Sequence, residues 1–236
     1  MSSIAILLAA GSGQRMEGRV EDKILALING QPALVYSLKA FERSCVINSY
    51  LIVYRDELQK DAIEAIIATH GFGHLDIQVV LGGAERQLSV MKALDAIDEN
   101  CDYVFIHDCA RPCITTEAIK DVYSAVQEDQ AASLAHPVVD TIKRTEAAHE
   151  LRKLSLEDLD RSRVWAMETP QAFAFKNILK AYQNVIKKKL TITDDTAALA
   201  TIDLKTTLVP NKRPNPKLTT PSDLSYIEHL LKIPNS

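Results

Sequence analysis

The chain has 236 residues, of which 47% are hydrophobic and 25% charged, and a formal net charge of −4. That length suits one large globular domain able to bury roughly 70% of its unfolded surface. The mildly acidic balance offers no global field for a nucleic-acid backbone or an anionic membrane, and no apolar stretch reaches the ~18 residues of a membrane span. A cytoplasmic protein with neither nucleic-acid nor membrane partners is expected.

Ile4 to Ala9 is a short unbroken apolar run, the pattern of a central parallel strand covered on both faces. No Lys or Arg precedes it, so it reads as a strand and not as a signal peptide. A helical period follows over Pro32 to Cys45, with Leu34, Val35, Leu38 and Phe41 on one stripe. Then strands and helices alternate: Ser49 to Tyr54, Glu57 to Thr69, Leu75 to Leu81, Ala84 to Ile97, Tyr103 to His107 and Thr116 to Glu128. Such alternation predicts an α/β protein with a doubly wound, mostly parallel Rossmann-like sheet. From about Ser133 to Phe175 the rhythm breaks. Leu134 to Val139, Asp140 to Arg144 and Val164 to Met167 are strand-like around a polar stretch at Glu146 to Asp160, which predicts a β-arm leaving the sheet at about 136–172. Helices at Lys176 to Lys188, Asp194 to Ala200 and Ser222 to Lys232, with a strand at Thr206 to Val209, complete one domain spanning 1–236. Lys187, Lys188 and Lys189 suit the C-terminal end of their helix. The four cysteines form no C-x-x-C pair and read as buried thiols. His70/His74 and Cys109/Cys113 have zinc-ligand spacing, but in the reverse of the usual order.

Glycine and proline divide the chain. All eight glycines fall within the first 83 residues, and every proline except Pro32 falls at or after residue 112. Gly11 and Gly13 follow the first strand, where absent Cβ atoms let backbone N–H groups approach a phosphate. The dinucleotide pattern G-x-G-x-x-G is broken by Met16, and no G-K-[S/T] follows. Arg15 and Lys23 instead bring two cations to this loop. It reads either as a phosphate cradle or as a tight turn with two solvated bases. Asp108 and Arg111 follow a buried strand, as a Mg²⁺-holding carboxylate beside a cation or as a structural pair. His107 reads as a framework histidine, and Cys109 and Cys113 as packed thiols without a base to activate them. Lys217 sits on a loop stiffened by Pro214 and Pro216.

Seven segments occur in order: Leu8 to Met16 (L-A-A-G-x-G-x-R-M), Gly82 to Val90 (G-G-x-x-R-x-x-S-V), His107 to Pro112 (H-D-x-A-R-P), Asp140 to Arg144 (D-T-x-K-R), Thr169 to Phe173 (T-P-Q-x-F), Thr193 to Asp195 (T-D-[D/E]) and Asn215 to Thr219 (N-x-K-x-T). Together they resemble the nucleotidyltransferases that activate polyol phosphates, in particular the 2-C-methyl-D-erythritol 4-phosphate cytidylyltransferase family. The resemblance implies transfer of CMP from CTP to a polyol phosphate, with Mg²⁺ or another divalent cation. It assigns Arg15, Lys23 and Lys217 to catalysis. Ala9, Ala10, Gly11, Gly13, Gly82 and Ser89 would bind the nucleotide, and Asp108 the metal. Asp108, Arg111, Thr141, Arg161 and Thr169 would bind the polyol phosphate. Thr141 and Arg161 would reach a neighbouring site through an arm that builds a homodimer. Asp22, Ala84 and Glu168 depart from the family pattern, which has Pro, an acidic residue and Gln there. A ribitol-5-phosphate cytidylyltransferase, an NAD-binding oxidoreductase and a non-catalytic nucleotide-binding regulator are the competing readings.

Overall fold

The computed structural model describes residues 1–11, 22–147 and 152–233. β1 (Ser3–Leu8) forms on the apolar run, with Ala5, Ile6 and Leu7 wholly buried. A small hairpin, β2 (Leu27–Ile28) and β3 (Gln31–Pro32), turns through Asn29 and Gly30 with φ of 49° and 80°. An Asn-Gly pair adopts that left-handed turn at little steric cost. α1 (Ala33–Ser44) buries the predicted Leu34, Val35, Leu38 and Phe41 and ends at Cys45, whose φ is 56°. Cys45 is exposed there, which corrects the expectation of four buried cysteines; Cys101, Cys109 and Cys113 are buried.

β4 (Ser49–Tyr54) leads to α2 (Glu57–Thr69), which Asp56 caps by accepting the Gln59 N–H. After β5 (Ile77–Leu81), α3 (Arg86–Asp95) starts later than Ala84 because Gly82 to Glu85 make the turn. β6 (Tyr103–Asp108) and α4 (Thr116–Asp129) follow, Thr115 accepting the Ala118 N–H as the cap. β7 (Ala131–Pro137) precedes the excursion, which carries an exposed two-stranded pair, β8 (Lys143–Thr145) and β9 (Leu156–Asp158), and a 3₁₀ turn at Arg161–Arg163. β10 (Trp165–Ala174), α5 (Phe175–Lys188), α6 (Asp195–Ala200), β11 (Thr207–Pro210) and α7 (Pro221–Lys232) complete the chain. The lysine run does close α5, with Lys189 as its left-handed cap.

The seven-stranded sheet has the order β11-β7-β10-β6-β1-β4-β5. Every pairing is parallel except those of β10, which is antiparallel to both neighbours. β7 and β10 pair as far as Pro137 and Trp165, so the departure from the sheet occupies 138–164. Their register shifts between Met167 and Gln171, around a cis Thr169–Pro170 bond. One core lies between the sheet and α1, α2 and α4 (Phe41, Ile63, Ile119), and a second between the sheet and α3, α5 and α6 (Val90, Tyr182, Leu199). α7 packs Ile227 on the hairpin through Ile28 and Leu218.

This topology locates the site. The chain runs outward from β1 through β4 to β5, then returns to β6 on the other side of β1. The reversal leaves a crevice at the carboxyl ends of β1 and β6, where open α/β sheets bind ligands.

Candidate active site

A cavity of about 630 Å³ fills that crevice. Its walls are Ala10 and Gly11 after β1, Gly82 to Arg86 after β5, Asp108 and Ala110 at the end of β6, and Lys23, Arg55, Ser89 and Lys217. Gly82 is required by close approach: a Cβ there would lie 2.9 Å from Ser89 Oγ, 3.0 Å from Ala10 Cβ and 3.1 Å from Tyr54 O. The Gly82 N–H donates to Tyr54 O at 2.7 Å, and the Gly83 N–H donates to Ser89 Oγ at 3.0 Å. Ser89 therefore holds the Gly-Gly turn against the cavity. Ala9 lies beneath the wall, with its N–H on Val53 O and its carbonyl accepting from Gln59 Nε2. Lys23 reaches the end of β1, where a Cβ on Gly11 would stand 3.2 Å from its Nζ. Its sequence neighbour Asp22 is buried and accepts from Ile24 N–H at 3.1 Å and Gln59 Nε2 at 2.5 Å, with Arg55 at 3.2 Å. Burial raises its pKa despite these partners. Arg15 and Gly13 lie outside the described residues.

Asp108 is the hub. Lys217 Nζ donates to its Oδ2 at 2.6 Å, Arg86 Nε stands 3.4 Å from Oδ1, and its own N–H donates to Thr169 Oγ1 at 3.1 Å. Burial alone would raise this carboxyl, but Arg86, Lys217 and Arg111 outweigh it and hold it well below the usual carboxylate range. Arg86 is locked in turn by a bidentate pair with Asp195, at 2.8 and 2.7 Å, and Tyr182 donates to Asp195 at 2.5 Å. Arg86 and Asp195 stand in two of the sequence segments, yet their pairing carried no signal in the sequence because 109 residues separate them.

A second cavity of about 340 Å³ shares Asp108, Arg86 and Lys217 with the first and adds Arg111, Met167, Glu168, Thr169, Gln171, Thr193 and Asp194. Arg111 donates through Nη1 to Asn215 O at 2.7 Å and through Nη2 to Met167 O at 3.4 Å, while its buried Nε has no acceptor among the described residues. Burial lowers its pKa against the pull of Asp108 and Glu168. The Thr169 hydroxyl stands 3.0 Å from His107 Nδ1, whose Nε2 is 3.3 Å from Ser37 Oγ. His107 is wholly buried, and that burial pushes it down to about 3, so the ring is neutral near pH 7. Both ring nitrogens have partners, as a framework histidine requires. Cys109 and Cys113 are buried thiols raised by desolvation, Cys113 to about 12.

The fold thus gathers Ala10, Gly11, Lys23, Gly82, Ser89, Asp108, Arg111, Thr169 and Lys217 about one crevice. Thr141 and Arg161 stand apart on the excursion, exposed, with Arg161 Nη1 donating to Val139 O at 2.6 Å. Sequence reasoning passed over Arg55 and Arg86 as lining residues. Among the described residues no three His, Cys, Asp or Glu side chains gather to hold a metal. Asp108 fits a narrower task. An ionised carboxylate has about four lone-pair sites. Two of those on Asp108 face cations. Both oxygens are thus engaged, and the lone pairs left over suit a divalent cation that draws its other ligands from phosphate and water.

A family model for 2-C-methyl-D-erythritol 4-phosphate cytidylyltransferase matches residues 3–233. The chain belongs to that family. A curated member from Lachnoclostridium phytofermentans is 38% identical over 230 residues, covering 97% of this chain and 95% of its own. One from Bacillus velezensis is 34% identical over 233 residues, covering 98% and 97%. The crystal structure of 4-diphosphocytidyl-2C-methyl-D-erythritol synthase from Anaerococcus prevotii superposes with a TM-score of 0.84 at 26% identity, covering 98% of this chain and 99% of that one. Family membership sets aside the oxidoreductase and regulator readings.

Proposed function

We propose that this cytidylyltransferase joins CTP to 2-C-methyl-D-erythritol 4-phosphate, giving 4-diphosphocytidyl-2-C-methyl-D-erythritol and pyrophosphate for non-mevalonate isoprenoid synthesis in the cytoplasm. The observation that carries the reading is a pair of cavities sharing one wall, Asp108–Arg86–Lys217. Two anionic substrates set on either side of that wall would meet at its cations.

The attacking atom is a phosphate oxygen of the polyol phosphate. It forms a bond to the α-phosphorus of CTP as the α–β bridge breaks and pyrophosphate leaves. That oxygen is already anionic, so no general base is needed, in keeping with a buried neutral His107 and unactivated thiols. Positioning and charge stabilisation supply the catalysis. Arg15 and Lys23 hold the triphosphate, and Lys217 with Lys23 stabilises the pentacoordinate α-phosphate. Ala10, Gly11, Gly13 and Gly82 bring backbone to the nucleotide, with Ser89 fixing the Gly-Gly turn and Ala9 supporting it. Arg111 orients the polyol phosphate, and Thr169 fixes Asp108. Mg²⁺ bound at Asp108 would neutralise triphosphate charge. Thr141 and Arg161, far from this chain's own crevice, serve the site of a second copy in a homodimer built through the arm.

The test incubates the protein and Mg²⁺ with each nucleoside triphosphate and a panel of polyol phosphates, and measures pyrophosphate release. CTP with the methylerythritol phosphate should give the signal. Release with ribitol 5-phosphate alone would replace the substrate, and no release would refute the reaction.

A further inference from the structure

Glu168 is a buried carboxylate, 3% exposed, set where the β7–β10 register shifts. Three side chains from two other parts of the chain converge on it. Asn211 Nδ2 and Asn215 Nδ2 both donate to Oε2, at 2.8 and 3.0 Å, and His136 Nδ1 of β7 lies 2.5 Å from Oε1. Asn211 and Asn215 bracket the proline-stiffened loop that delivers Lys217, so a single oxygen grips that loop at two points. The same Asn215 offers its carbonyl to Arg111 Nη1 and a second amide contact to Thr169 O at 3.1 Å. Beyond Lys217 the loop is pinned again, by Leu218 N–H on Ala110 O at 2.7 Å.

We infer that Glu168 is a positioning residue for the transfer reaction: its carboxylate, oriented by His136, clamps Asn211 and Asn215 and so sets where Lys217 and Arg111 present their charge. The inference rests on the function proposed above. Its logic is distance. Glu168 acts through hydrogen bonds to the loop, and small displacements of a charge-stabilising group cost rate steeply. Glutamine at this position would keep the clamp, since one amide oxygen can accept from both asparagines while its NH₂ faces the His136 ring. Alanine would take this acceptor from both amides, leaving the buried Asn215 only its contact with Thr169 O.

The experiment compares wild type, E168A, E168Q and N211A. Steady-state kinetics are run in both substrates, and amide hydrogen exchange is followed over 211–218. E168A should lower kcat by about tenfold or more with the KM for CTP changed less than about threefold, and N211A should show a smaller loss of the same kind. E168Q should restore kcat to within about threefold of wild type, because acceptor geometry and not net charge does the work. Exchange over 211–218 should quicken in E168A and N211A and stay slow in E168Q. Wild-type kcat in E168A and N211A, or E168Q as impaired as E168A, would overturn the clamp. If E168A does not fold, N211A and E168Q decide by the same criteria. Exchange reads the loop without turnover, so an inactive wild type would refute the proposed reaction while the clamp is still decided.

Discussion

Replacing His107 by glutamine isolates a single buried titration. In the folded chain His107 is wholly buried and held near 3 by desolvation, whereas an unfolded histidine titrates near 6.5. The unfolded state therefore binds the extra proton first as pH falls, and the folded state is favoured above 6.5. Its advantage is lost progressively below that value, down to about pH 3. Between pH 8 and pH 5 this group alone removes about 2 kcal/mol of stability. Asp108 is held below its ordinary value, so its contribution is lost only below about pH 5, outside the range assayed. Glutamine can still bridge the Ser37 and Thr169 hydroxyls, so H107Q should fold but lose that part of the pH slope. Urea unfolding at pH 8, 6 and 5 measures it. Wild type and variant should diverge at pH 8 and approach one another at pH 5. Equal slopes would refute the neutral, buried state. The same variant addresses chemistry: loss of a general base costs about 10²–10⁴ in rate. A kcat at pH 8 within about tenfold of wild type is expected, and a larger loss with folding intact would show that His107 handles a proton.

Gly82→Ala should press Ala10 and Ser89, weakening the Gly-Gly turn by about 1–3 kcal/mol and raising the KM for CTP. Thermal unfolding and CTP titration check it, and an unchanged KM would separate the turn from nucleotide binding. Arg86→Leu strands Asp195, which is wholly buried, and should cost about 3 kcal/mol or more in urea unfolding. Arg86→Lys should recover only part, since lysine cannot reproduce the bidentate fork. Lys23→Ala and Lys217→Ala should each lower kcat by a factor on the order of 10² or more, by analogy with removal of one charge-stabilising donor. Near-normal turnover in both would remove these residues from the mechanism.

Periodicity made the frame of the fold legible. β1, α1, α2 and α4 were readable because each buries a continuous run or a clean stripe, as Leu34, Val35, Leu38 and Phe41 do. The β2–β3 hairpin was missed although Asn29-Gly30 is a turn signal, because two-residue strands carry no period. β10 was read only over its first residues. Its Glu168-Thr169-Pro170 stretch interrupts the pairing, and an antiparallel strand inserted between β6 and β7 leaves no mark in alternation. Of the site, the residues after strand ends were legible, because carboxyl edges of open sheets are where side chains meet ligands. Contacts that span the chain were not. Nothing local in Asp22 says that it faces Gln59 and Arg55, and nothing local in Arg86 points to Asp195.

The three cations around Asp108 are held in different ways, and the difference bears on the roles proposed for them. Arg86 is fixed by two short bonds to Asp195, and Arg111 is tied to the Asn215 and Met167 carbonyls. Lys217 has a single carboxylate contact, to Asp108 Oδ2, and its side chain is the most exposed among the ion-paired cations of this wall, 35% against 32% for Arg86. An ammonium on a flexible stem can exchange one oxygen partner for another without breaking a fork. The Asp108 contact pairs that charge. In the proposed reaction, as negative charge gathers on the α-phosphate, Lys217 would turn to it while Arg86 still compensates Asp108. Only an interaction stronger in the transition state than in the ground state raises kcat. A cation released from a carboxylate as the phosphate charge grows would meet that condition, whereas arginines held in place would bind the ground and transition states more evenly.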